Sequence, residues 1–132
     1  MESDEIELFI NEIRNKFPDV SVKIDEWMDR QGYDASDKMY TSMMEEFSQV
    51  TTDAIKAKDE EKALSYLSYM SEKLKSATSK EYEYIDVYYV ESLLWDVKDK
   101  STLRFGWDLI PDNLKNLYIE MWGKPAHERI IK

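Results

Sequence analysis

The sequence predicts an all-α fold, a compact bundle of five to seven helices with antiparallel helix hairpins, in which residues 1–132 form one helical domain. Apolar residues recur at i, i+3, i+4 and i+7 along most of the chain, which is the period of a helix with one buried face. Residues that cap or stop helices fall between those stretches, and there are only 3 Gly and 3 Pro. No Asn-Gly or Asp-Gly turn and no sustained period-two alternation points to a strand. With 132 residues, 42% hydrophobic and 13% aromatic, the chain has the material for one core despite a charged fraction of 35%.

Ile6, Phe9, Ile10, Ile13 and Phe17 form the stripe of a first helix, with Ser3 as its candidate N-cap and Pro18 as its stop. Val20, Ile24, Trp27 and Met28 continue the period in a short second helix that Gly32 closes by accepting a left-handed conformation. Asp34 or Ser36 is the expected cap of a third, whose face holds Tyr40, Met43, Met44, Phe47, Val50 and Ala54 as far as Lys58. Asp59 caps the fourth, with Glu60 and Glu61 near the positive end of its dipole and Ala63, Leu64, Leu67, Met70, Leu74 and Ala77 on the buried side. The third and fourth helices read as an antiparallel hairpin.

Ser79 opens the most apolar segment, where Tyr82, Ile85, Tyr89, Leu93 and Val97 make one stripe and Tyr84, Tyr88, Leu94 and Trp95 cover much of the rest. A helix apolar on most sides is a central one. Residues 98–110 fit either a short helix or an ordered connection interrupted by Gly106. Pro111 suits a first helical position, Leu114, Leu117, Tyr118 and Met121 follow in period, and Gly123 with Pro125 closes the last helix before a short extension over residues 126–132.

Charge is the strongest compositional signal. The net charge is -10, and it is uneven: the first fifty residues carry 13 acids against 5 bases, whereas the last thirty-two carry 4 against 5. Such a potential repels nucleic acid and anionic membranes and speeds encounter with a basic protein. Acidity also confers solubility without any partner. The absence of cysteine removes disulfides, thiolate zinc sites and cysteine nucleophiles. It suits a reducing compartment, and the acidic start Met1 to Glu5 lacks the basic region of a secretory signal. A cytoplasmic location is expected.

Catalytic and metal-binding patterns are missing. The lone histidine, His127, lies near the end and reads as surface-exposed, which leaves no triad and no Glu-x-x-His pair for a di-iron site. Asp34, Ser36 and Glu45 fall at positions one, three and twelve of a calcium loop, but the frame places Lys38 at position five and Met39 where glycine is required. Glycines at 32, 106 and 123 build no phosphate loop. Glu91 stands out as a carboxylate within an apolar helix, with a structural role as hydrogen-bond acceptor expected and an enzymatic one as the alternative. No catalytic residue, cofactor or metal is therefore assigned.

Binding features concentrate in the acidic first half. Trp27, Tyr33 and Tyr40 lie among Asp25, Glu26, Asp29, Asp34 and Asp37, and Glu45 with Glu46 extends the acidic run. Rings and carboxylates together are the composition of a contact surface for Lys and Arg. These ten residues are the candidate partner-binding set. Met39, Met43 and Met44, and the rings from Tyr82 to Trp107, are assigned mainly to the core.

Three segments in the second half follow one another in a familiar order: Tyr66 to Met70, reading Tyr-Leu-Ser-Tyr-Met; Val87 to Trp95, with Val-Glu-Ser-Leu at Val90 to Leu93; and Ile110 to Tyr118, followed by Trp122, Gly123, Lys124 and Pro125. Over residues 60–125 the pattern resembles a family of small all-helical bacterial proteins of unknown function, found in settings that suggest immunity proteins of toxin–immunity systems. Ser68 departs from the acid common at that position of the family. The resemblance implies an all-helical domain and neutralisation of a toxin by binding, and it implies no catalytic residue.

Together these readings predict a non-catalytic protein-binding domain, an immunity protein that occludes the active or substrate-binding surface of a basic, nuclease-type toxin. The expected state is a monomer or weak homodimer, with no nucleic-acid or membrane partner. An acidic regulatory or adaptor protein, and an enzyme using a buried carboxylate, are the alternative readings.

Overall fold

A computed structural model describes residues 2–34 and 36–129, and within them the chain is a compact all-helical bundle without strands. Helix α1 runs Glu2–Lys16, α2 Pro18–Gln31, α3 Tyr40–Lys56, α4 Glu60–Lys75 and α5 Ser79–Glu83. From α5 the chain passes into a π-helix, Tyr84–Val90, and then α6 Lys100–Leu109, α7 Asp112–Trp122 and a single 3₁₀ turn, Ala126–Glu128. Among the described residues no helix is long and apolar enough to cross a membrane.

Most boundaries follow from local chemistry. Phe17 separates α1 from α2, and Pro18 begins α2 because a first-turn position needs no backbone donor. At 14 residues α2 is longer than the short helix expected, and Gly32 ends it at φ 80° as predicted. Asp59 caps α4 by accepting from the Lys62 N–H at 3.2 Å, and Thr78 with Glu81 forms a reciprocal capping box on α5, one residue before the Ser79 start expected. Of residues 98–110, Lys100–Leu109 forms a helix, with Asp99 capping it by accepting from the Thr102 N–H at 2.9 Å. Pro111 is the N-cap of α7 rather than its first helical residue.

Two expected caps are displaced. Ser3 lies within the first turn of α1, and α3 starts after Met39, four to six residues beyond Asp34 and Ser36. Asp34 instead folds a turn on itself: its carboxylate accepts from the Ser36 N–H at 2.8 Å and from the Ser36 hydroxyl at 2.6 Å. Local side-chain bonds of this kind compete with helix initiation.

One contiguous cluster of buried side chains runs from Ile6 in α1 to Ala126 in the 3₁₀ turn. Its centre is aromatic. Phe17 meets Tyr66 edge-on at 4.9 Å, Phe47 meets Tyr66 at 5.6 Å, and Phe47 meets Tyr89 at 4.9 Å, so the α1–α2 junction, α3, α4 and the π-helix share one contact. Along α4 the inner positions are Ala63, Tyr66, Leu67 and Met70, while Leu64, expected inside, is exposed. Met121 at the end of α7 is likewise exposed. The three-residue connection from Ala57 to Asp59 reverses the chain between α3 and α4, the antiparallel hairpin expected.

The predicted single central helix after Ser79 is the main correction. The backbone widens into the π-helix at Tyr84 and leaves helical geometry after Val90, with the buried Leu94 in the left-handed region at φ 63°. Widening rotates the side chains away from a 3.6-residue period. Tyr84, Ile85, Tyr89, Leu93 and Val97 are buried, but Tyr82 and Trp95 face outward. Tyr88 and Phe105 are half-buried against the core, and Trp107 is buried.

This irregular backbone is held by polar side chains of α3 that the apolar stripe did not reveal. Ser48, Thr51 and Thr52 are fully buried. The Ser48 hydroxyl donates to the Tyr89 carbonyl at 2.7 Å, and the Leu94 N–H donates to the Thr52 hydroxyl at 3.0 Å. Thr51 donates to the Phe47 carbonyl at 3.0 Å and shares a 2.8 Å bond with the Tyr89 hydroxyl. From the far side Arg129 donates to the carbonyls of Leu94 at 2.8 Å and Val97 at 2.7 Å. Leu94 is thus pinned at both its N–H and its C=O. The expected terminal extension contains Arg129, and residues 130–132 of it lie outside the described residues.

Two expectations follow for stability. Thr52→Val keeps the shape but leaves the Leu94 N–H buried without an acceptor. It should lower the unfolding free energy by about 1–3 kcal/mol in urea denaturation, against a smaller loss for exposed Thr→Val changes. Gly106, although inside α6, sits where a Cβ would lie 2.8 Å from Ile55 Cγ2 and 3.0 Å from Leu94 Cδ2. Gly106→Ala should therefore lower the melting temperature, because overpacking of about 1–3 kcal/mol exceeds the ~1 kcal/mol gained in helix propensity.

Candidate functional site

The break between α2 and α3 is bridged by a connection whose Tyr33 and Met39 pack against the core, and α1 lines the space beside it. Between them lies an open groove of about 820 Å³. Its α1 wall carries Glu7, Ile10, Asn11 and Arg14, and its α2 wall Asp25, Met28 and Asp29. Tyr33, Asp34, Ser36, Asp37 and Lys38 close it from the loop, with Tyr40 and Met43 from the start of α3. Six of the ten sequence candidates therefore line one concavity: Asp25, Asp29, Tyr33, Asp34, Asp37 and Tyr40.

Their partners differ, and so does what each can offer. Asp25 is bound to Arg14 at 2.5 Å, and Arg14 is steadied by the Ser21 hydroxyl at 3.0 Å. Asp37 accepts from the Asp34 N–H at 2.8 Å. Asp34 is held below its ordinary value by the bonds from the Ser36 hydroxyl and N–H, so it stays ionised while shaping the loop. Tyr40 donates to Glu7 at 3.2 Å, which fixes its ring on the groove wall. Asp29 is exposed and has no side-chain partner among the described residues. With five carboxylates, Glu7, Asp25, Asp29, Asp34 and Asp37, against Arg14 and Lys38, the lining keeps a negative excess. Glu7 is the groove acid that sequence reading missed, because it lies far along the chain from the run of candidate acids between Asp25 and Glu46 and only the packing of α1 brings it to Tyr40.

The other four candidates lie elsewhere. Glu26 is exposed on α2 and pairs with Lys23 at 3.4 Å. Trp27 is half-buried and tilted against Tyr33 at 5.8 Å, so it supports the loop ring from behind. Glu46 stands near Arg30 and Lys23 of α2, and its carboxyl is raised chiefly by burial. Glu45 projects from the opposite flank of α3, beside Glu91.

That flank holds a second group of acids. The Glu91 N–H donates to the Asp86 carbonyl at 3.2 Å, the i to i+5 bond of a π-helix, which brings two carboxylates to one side that an α-helix would set about 140° apart. Glu45 approaches from α3 and Glu120 from α7. Glu91 is half-buried among these acids, not sealed in apolar surroundings as the sequence suggested. No grouping of carboxylates or His127 among the described residues has metal-holding geometry. His127, expected on the surface, is mostly enclosed, its ring 6.1 Å from Trp107 and its Nδ1 buried.

Burial and then repulsion by Glu91 raise the Glu45 carboxyl, and burial, Glu120 and Glu91 together raise Asp86. A carboxylate whose folded-state value lies above its unfolded one costs stability at neutral pH, and that cost is relieved as pH falls through the folded value. Asp86→Asn should accordingly raise the urea midpoint at pH 7. The advantage over the parent should shrink as the pH is lowered toward the ordinary 3.8 of aspartate.

No curated protein and no solved structure matches the chain. A family profile described as a domain of unknown function, DUF7674, matches residues 10–123, which takes in α2 to α7, the C-terminal part of α1, and every groove residue except Glu7. Since that match spans most of the sequence, the chain belongs to the DUF7674 family.

Proposed function

We propose that the protein is a stoichiometric, non-catalytic binder of a basic protein, and that it acts as an immunity protein against a nuclease-type toxin. The observation that supports this reading is the groove: a concave surface with a negative excess, two tyrosine rings on its walls and an unpartnered Asp29 at its rim. A lysine or arginine that holds phosphate in a nuclease would meet Asp29 as a competing anion, with its aliphatic stem against Tyr33 or Tyr40. Charge complementarity speeds the encounter, and the bulk of the bundle then blocks the nucleic-acid path. The resemblance over residues 60–125 adds the toxin–immunity setting to this chemistry.

Asp29 is the clean probe, since reversing Asp25 or Glu26 would also set Arg14 or Lys23 against a like charge. Co-expression with toxin domains encoded beside the gene should restore growth and yield a one-to-one complex. Asp29→Lys should weaken that complex by about tenfold and lose protection in proportion. Full protection by the Asp29→Lys variant, or failure of every neighbouring gene product to bind, would refute the reading.

A further inference from the structure

We propose that the flank of α3 facing away from α2 is a second docking surface, and that its occupant is a lysine- or arginine-bearing amphipathic segment of a partner protein. Two indoles define it. Trp95 is 60% exposed and Trp122 49% exposed, with Ile119 on the same helix as Trp122 at 37%. Both rings are fixed in place: Trp95 Nε1 donates to Gln49 Oε1 at 2.7 Å, and Trp122 Nε1 donates to the Glu91 carbonyl at 3.3 Å. Their polar tips are therefore satisfied within the chain, and what remains outward is ring face, presented at little further cost in side-chain entropy. Tryptophan is the residue type most enriched where binding energy concentrates.

Charge decides what covers these rings. Glu45, Asp86, Glu91 and Glu120 neighbour one another beside Trp122, whose indole bonds the Glu91 carbonyl, and none has an ion-pair partner among the described residues. Nearby cations are committed elsewhere: Lys56 binds Asp96 at 3.0 Å, Lys115 lies over the Trp107 ring at 5.5 Å, and Arg129 binds backbone carbonyls. Lys124 and Arg129 both line the small apolar pocket behind Trp122. Nucleic acid and anionic lipid are repelled by such a surface. A second copy docking face to face would set the same four carboxylates against one another. A cationic segment removes the repulsion, and its apolar residues cover the indoles.

The inference stands apart from the groove, because Asp29 lies on the α1 side of α2. The probe is a synthetic amphipathic peptide with lysines on one face and leucines on the other, titrated into the full chain while indole emission and heat are recorded. Binding should shift the emission and weaken with added salt. Neutralising the pair as Asp86→Asn with Glu91→Gln should lower affinity by about tenfold, and Trp122→Ala should do likewise, with Glu60→Gln, an exposed acid outside both surfaces, unchanged and Asp29→Asn reporting separately on the groove. Circular dichroism of each variant checks the fold, and the carboxamide pair relieves repulsion, so loss of binding there is not loss of folding. Equal affinity in all variants, loss confined to Asp29→Asn, no binding at all, or a dimer that Glu91→Lys dissolves would overturn the proposal; the second of these would leave the groove reading standing.

Discussion

The backbone from Tyr84 to Val97 leaves α-helical geometry inside the core, where the hydroxyls of Ser48 and Thr52 bond its Tyr89 carbonyl and Leu94 N–H while Thr51 meets the Tyr89 hydroxyl. A buried N–H without an acceptor costs more than a made hydrogen bond returns, so the segment could not pack against α3 if that face were wholly apolar. Spacing makes the arrangement work. Positions 48 and 52 are one turn apart and 51 lies beside them, which directs all three toward the same neighbour. Arg129 completes the support from the opposite side by binding the Leu94 and Val97 carbonyls. Around this polar seam Phe17, Phe47, Tyr66 and Tyr89 form the aromatic contact at the centre of the core.

The same departure shapes the surface. Within a regular helix Asp86 and Glu91 would point in different directions. Widening by one residue per turn brings the carboxylates together, and the exposed Trp95 follows directly on the left-handed Leu94. Clustered, unpaired carboxylates oppose folding at neutral pH, and π-helical turns recur at functional positions in proteins generally. On the other flank the groove arises from a different interruption, the loop between Gly32 and Met39, where Asp34 and Asp37 fold the chain on itself. Both acidic surfaces therefore lie where helical periodicity stops.

Helix positions were legible wherever one face is apolar and a cap follows familiar chemistry. Gly32, Asp59, Gly123 and the stripes of α1 and α3 are cases in which a local rule and tertiary packing agree. Asp34 and Ser36 misled because the residues that cap helices also build turns, and only the run of the chain decides between them. Leu64 and Tyr66 flank the stripe of Ala63, Leu67 and Met70 on opposite sides of α4, and the side turned inward is the one whose ring meets Phe17 and Phe47 edge-on. Of the candidate contact residues, clustering in sequence carried over to space for those flanking the α2–α3 loop. It did not for Glu45 and Glu46, which one residue's rotation sends to opposite flanks of α3.

Composition and periodicity alone settle that this chain is helical, strongly acidic in its first half and free of cysteine chemistry, because those properties belong to residue types and to their spacing along one dimension. Tertiary structure alone decided that Ser48, Thr51 and Thr52 face a π-helix, that His127 is enclosed, and that Glu91 meets Glu45, Asp86 and Glu120. The reason is physical: those outcomes depend on the hydrogen bonds and charges that distant segments bring to a shared place, and a hydrophobic pattern reports only which side of a segment avoids water.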